Sequence, residues 1–143
     1  RTTAMIHCSK PRTLAIVVAA AILVGGLAVS AAVAKSGDFY KVTVTTAGTG
    51  DTITATVKAV GTNGYKPNSA YPWKLTLTPG AGVTMGKTVY KKADAKLSPK
   101  AVVFNVPYTA TSDAKSVSAV LKLSMCDPKQ CQMEKVKLTW PAR

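Results

Sequence analysis

The chain has 143 residues and a formal net charge of +13, from 19 Lys+Arg against 6 Asp+Glu, with 3 cysteines and 1 histidine. That is a one-domain length, and from Lys35 onward the basic excess is carried by lysine, Arg143 being the one arginine there. Reading of nucleic acid by sequence favours arginine forks and planar stacking, so no nucleic-acid partner is expected. The lysines read as a solvated surface, with weak attraction to anionic envelope surfaces or acidic partners as the lesser reading.

Residues 1–34 follow the three-part plan of a secretory signal. Lys10 and Arg12 give a positive start, Leu14 to Leu27 is an uncharged apolar core, and Ala28 to Ala34 is rich in small residues and ends in Ala32-Val33-Ala34, an A-x-A cleavage site. The expectation is a signal peptide over 1–34 and a folded domain over 35–143, periplasmic or secreted. The rival is an uncleaved helix anchoring the chain to the inner membrane, because Thr13 to Ala34 is uncharged over about the 20 residues that a span requires. The Ala, Gly and Ser of its second half insert weakly, which favours cleavage, and this segment is the one expected membrane contact. Cleavage removes His7 and Cys8, leaving two cysteines and no histidine. A Ser-His-Asp triad, a Cys-His dyad and histidine-based metal sites are then excluded, and the remaining cysteines lie where disulfides persist.

From Phe39 onward short alternating runs are broken by Gly, Pro, Asn and Asp, with no helical period longer than a turn. Tyr40, Val42 and Val44 give a first inward face, and Ile53, Ala55, Val57 and Ala59 a second. Gly64 to Ser69 reads as a loop. Tyr71, Trp73, Leu75 and Leu77 line a third strand, with Trp73 expected at the centre of the core. Val83 to Tyr90 reads as a weak edge strand blunted by its lysines and Gly86, and Lys91 to Lys100 as a connector. Val102, Phe104, Val106 and Tyr108 make the next inward face, where Pro107 requires an edge or a bulge. The last pair is Val117-Ala119-Leu121-Leu123-Met125 and Val136-Leu138-Trp140, with the apolar phase slipping between Met133 and Val136, which predicts a bulge after the second cysteine. About seven such strands predict an all-β, immunoglobulin-like antiparallel sandwich, with a barrel of the same strands as the alternative. Tyr65, Tyr71 and Tyr108 are candidates for a protein contact surface, or for core and rim packing.

The chemistry concentrates at Cys126-Asp127-Pro128-Lys129-Gln130-Cys131, the tip of the last hairpin. A structural disulfide needs the two cysteines to face each other across the turn, and closing so short a loop contributes roughly 2 kcal/mol in the chain-entropy view. A redox-active pair needs in addition an exposed sulfur and an activated thiol; Lys129 lowers a neighbouring thiol pKa while Asp127 opposes it. A Cu(I) site would draw on Met125, Cys126, Cys131 and Met133, but neighbours on a strand face opposite ways. Zinc would want four ligands, where two cysteines and Asp127 are on offer. No cofactor or resident metal is therefore expected, and the residues leave the other two roles open.

The run Val120-Leu121-Lys122-Leu123-Ser124-Met125-Cys126-Asp127-Pro128-Lys129-Gln130-Cys131 resembles the cysteine hairpin of the N-terminal periplasmic domain of the thiol:disulfide interchange protein DsbD. Gly64-Tyr65-Lys66-Pro67-Asn68 followed by Tyr71-Pro72-Trp73-Lys74-Leu75 is similar to the region after the second strand in such domains. The resemblance implies an immunoglobulin-like periplasmic domain in which Cys126 and Cys131 are a catalytic redox pair, cycling between disulfide and dithiol. It also implies redox partner proteins in the envelope, from which the pair takes electrons and to which it passes them.

Overall fold

Alternation with a period of two decides the architecture. The structure is a computed structural model in which residues 28–143 are described; the expected signal segment up to Leu27, with His7 and Cys8, lies outside them. The strands in chain order are β1 (Ala28–Ser36), β2 (Tyr40–Thr49), β3 (Thr52–Gly61), β4 (Lys66–Pro67), β5 (Lys74–Pro79), β6 (Val83–Thr84), β7 (Val89–Lys91), β8 (Lys96–Leu97), β9 (Ala101–Ala110), β10 (Ser116–Cys126) and β11 (Cys131–Pro141), with a single 3-10 turn at Lys92–Asp94. No helix among the described residues is long and apolar enough to cross a membrane.

All pairings are antiparallel and form two sheets, one ordered β1-β2-β3-β9-β6 with β8 also on β9, the other β11-β10-β5-β7 with β4 also on β10. Without β1, the long strands follow the A-B-E and G-F-C orders of an immunoglobulin-type sandwich, and an immunoglobulin-like sandwich, curled toward a half-barrel, fits. The inward faces are the expected ones: Val42, Val44, Ala55, Val57, Trp73, Leu75, Val102, Phe104, Val106, Val117, Leu121, Leu123, Met125, Val136 and Trp140 are all nearly inaccessible. Each large apolar side chain so buried contributes on the order of 1.5–3 kcal/mol.

Several elements differ from the sequence reading. Ala28–Ala34, the part of the expected N-terminal helix that falls within the described residues, is strand: β1 pairs with β2 and breaks register between Ser30 and Val33, and Val33 packs against the core. The Val83 to Tyr90 strand is two stubs. β6 pairs with β9 in one sheet and β7 with β5 in the other, so this segment crosses between the layers, its Gly86 and Lys87 too weak a pattern to hold one ladder. The Lys91 to Lys100 connector contains β8, and the Gly64 to Ser69 loop contains β4.

Pro107 needs no bulge. Ala110 N–H donates to Asp51 C=O at 2.9 Å, which makes 51/110 a hydrogen-bonded pair; three rungs on, Thr54/Pro107 is a non-hydrogen-bonded one. The proline nitrogen is therefore turned away from β3, to the stretch of edge left open between β6 and β8. The expected bulge after Cys131 is absent too. β10 and β11 pair without interruption from Ser116↔Pro141 to Cys126↔Cys131. The apparent slip arises from Met133, an apolar side chain that sits on the outward phase and is 68% exposed.

Candidate functional site: the cysteine hairpin

The β10–β11 register places Cys126 directly opposite Cys131. Asp127 N–H donates to Gln130 C=O at 2.9 Å, so 127/130 is the hydrogen-bonded pair and the cysteines occupy the adjoining non-hydrogen-bonded position, where side chains approach most closely. They form a disulfide, with Cα atoms 4.0 Å apart. Cys131 is exposed and Cys126 half-buried, so the two halves of the bond are unequally covered by the fold.

The turn between them is held by its own side chain. The Asp127 carboxylate accepts the backbone N–H groups of Lys129 at 2.8 Å and Gln130 at 2.7 Å, an Asx-type arrangement that Asp favours, while Pro128 supplies the fixed φ of a turn's second residue. These two hydrogen bonds hold the Asp127 pKa below its usual 3.8. With the folded pKa depressed, the contribution of the carboxylate is present above about pH 3.8 and is lost as pH falls through the lower folded value. The amide proton shifts of Lys129 and Gln130 are therefore expected to titrate together with a midpoint below 3.8, and to lose that titration in Asp127→Asn. A midpoint at or above the ordinary carboxylate value contradicts this.

A second segment braces the hairpin from the side. Asn63 and Gly64 have φ of 53° and 83°, and Tyr65 N–H closes the turn on Thr62 C=O at 3.0 Å. Two successive positive φ values suit an Asn-Gly pair. That reversal delivers Tyr65, whose hydroxyl accepts the side-chain N–H groups of Gln130 at 2.9 Å and Gln132 at 3.0 Å. β4 then pairs Lys66 with Cys126 and Pro67 with Met125. Asn68 N–H donates to Ser124 C=O at 2.9 Å, and the Asn68 carbonyl accepts Trp73 Nε1–H at 2.8 Å, which ties this brace to the core. Tyr65 and Asn68 were missed as parts of the site. The Gly64-Tyr65-Lys66-Pro67-Asn68 run has no strand pattern, and its partners lie about 60 positions away in sequence.

The soft-metal set does not converge. Met125 is in the core, whereas Met133 is on the exposed outer face with Cys131. No group of three or more His, Cys, Asp or Glu side chains able to hold a metal ion occurs among the described residues. Of the other tyrosines, Tyr108 is buried, its hydroxyl donating to Ala142 C=O at 3.0 Å. Tyr71 is half-buried, edge-on to Trp73 with ring centroids 6.3 Å apart.

No protein-family model matches the chain, and no curated protein matches it. Among solved structures, the crystal structure of the yeast GGA1_GAE domain-P21 is similar, with a TM-score of 0.46 at 9% sequence identity, covering 75% of this chain and 96% of that one.

Proposed function

We propose that the protein is an exported, immunoglobulin-like sandwich that exchanges thiols with envelope partner proteins through Cys126 and Cys131. The observation that carries this reading is the exposure of Cys131 in a disulfide at the tip of a braced hairpin. The resemblance of Val120 to Cys131 to the cysteine hairpin of the DsbD N-terminal domain supports it, as does the secretory pattern of residues 1–34. A thiolate of a dithiol partner attacks Cys131 Sγ, the Cys126–Cys131 bond breaks, and Cys126 leaves as the thiolate, taking up a proton from water. The partner's second thiol displaces Cys131 from the mixed disulfide, so two electrons and two protons have moved and the partner is oxidised. The resulting dithiol reduces an oxidised substrate protein by the same steps in reverse.

Equilibration of the full chain with reduced and oxidised dithiothreitol is expected to give a reduction potential above about −300 mV, together with a mixed disulfide at Cys131 in Cys126→Ser. A potential below about −300 mV, the range of structural disulfides, overturns the proposal and leaves an inert hairpin cross-link.

A further inference from the structure

The outer face of the β11-β10-β5-β7 sheet carries a row of four lysines. Lys135 pairs with Lys122, Lys122 with Lys74, and Lys74 with Lys91, so one rung of the sheet is lysine on all four strands. Their chain neighbours Val136, Leu121, Leu75 and Tyr90 are buried between the sheets, and the alternation of a strand turns the lysines outward. Directly opposite like charges destabilise a sheet. None of the four is in an ion pair: the described residues contain the Lys87–Asp94 and Arg143–Asp51 pairs and no other. Carboxylates stand at the two ends of the row, Asp94 bonded to Lys87 and to the Lys91 N–H and Glu134 accepting the Lys135 N–H, and neither forms an ion pair with a lysine of the row.

The other sheet treats the same residue type differently. On its outer face Lys41 lies opposite Val60, while Lys58 lies between Thr43 and Val103. Lys96 pairs with Val103. Lysine there is spaced by uncharged residues, as a surface serving only solubility would be. Lysine is thus contiguous on one face of the sandwich and dispersed on the other. That face also carries Met133, the one large hydrophobic side chain that is strongly exposed among the described residues. At the end of the row, Lys74, Lys91 and Lys92 line a shallow recess with Ala70 and Pro72.

We propose that this lysine face docks on an anionic lipid surface. Lysine is a strongly hydrated point charge rather than a planar fork, suited to the diffuse field of a charged bilayer more than to bidentate reading of a particular carboxylate. The negative potential of such a surface removes the mutual repulsion of the row. Met133, outward on the same face, is placed to enter the interfacial layer. Each lysine near such a surface is expected to strengthen partitioning about fivefold, an effect that falls off with distance and salt. Cys131 lies two residues from Met133 on the same outward phase of β11, so docking would bring the cysteine tip beside the same surface.

The test is partitioning of the full chain onto phosphatidylglycerol-containing and pure phosphatidylcholine vesicles, the N-terminal segment with its Arg1, Lys10 and Arg12 being common to the parent and both variants. The expected preference for the anionic vesicles falls about a hundredfold when Lys74, Lys122 and Lys135 are together changed to Gln. The matched variant with Lys41, Lys58 and Lys96 changed to Gln keeps it within a few-fold. The lysine-row variant, relieved of like charges, is expected to unfold at or above the parent midpoint, so the loss is not one of folding. Equal losses in the two variants overturn the proposal in favour of bulk charge. No preference in the parent, or binding to polyglutamate without binding to anionic vesicles, overturns it as well.

Discussion

Trp73→Ala is expected to lower the free energy of unfolding by about 3–5 kcal/mol, the range for emptying a large aromatic site in a close-packed core. Trp73 is 1% exposed. Its Nε1–H bond to the Asn68 carbonyl also secures the segment that crosses from β4 to β5. Truncation therefore removes packing and frees the brace beside the cysteine hairpin at once. Trp73→Phe keeps most of the volume and leaves the Asn68 carbonyl without its donor, so a smaller loss of about 1–3 kcal/mol is expected. Urea unfolding measures both, as a lower midpoint at an unchanged slope. An alanine variant within 1 kcal/mol of the parent contradicts the assignment of Trp73 as the keystone between core and brace.

Gly61→Ala tests the brace itself. A Cβ at Gly61 would stand 1.9 Å from the Tyr65 carbonyl oxygen and 2.5 Å from its carbon. Backbone, not a flexible side-chain end, has to yield. Forced overpacking of this kind typically costs about 1–3 kcal/mol, and the displaced strand end is the one that presents the Tyr65 hydroxyl to Gln130 and Gln132. Reduction of the Cys126–Cys131 bond by dithiothreitol is therefore expected to accelerate in Gly61→Ala. It should accelerate in Tyr65→Phe as well, where the acceptor alone is lost and global stability falls by less than about 1 kcal/mol. Should Gly61→Ala destabilise the domain while the reduction rate stays at the parent value, Tyr65 does not restrain the hairpin.

The parts of the fold that could be read from the sequence are those in which burial enforces period two over at least three alternating positions. β2, β3, β9, β10 and the second half of β11 were visible because one face of each is sealed against the other sheet. β4, β6, β7 and β8 have two or three residues apiece, too few for any period, and their pairing is dictated by where the longer strands leave an edge. Met133 misled because an exposed methionine on the outer phase mimics a slipped register. The cysteine pair was legible through the Asp-Pro turn that separates it. The brace was not, since Tyr65 and Asn68 reach the hairpin across the fold rather than along the chain. The lysine row was hidden for the same reason: its members are spread over residues 74 to 135 and become neighbours only through strand pairing.

The position of Pro107 bears on self-association. Backbone groups at alternate residues of β9 face away from β3. Those at Ala101 and Val103 fall against the β8 segment and that at Thr109 against β6. Asn105 and Pro107 are left on the uncovered stretch, and proline has no N–H. A strand arriving from another copy would find one free donor there, flanked by two stubs that block continuation of the ladder. Exposed edges are templates for fibril-like stacking in proportion to their length and their run of unpaired N–H groups. By placing a donor-less residue in the gap, the chain leaves the open stretch of β9 a poor template for a neighbour.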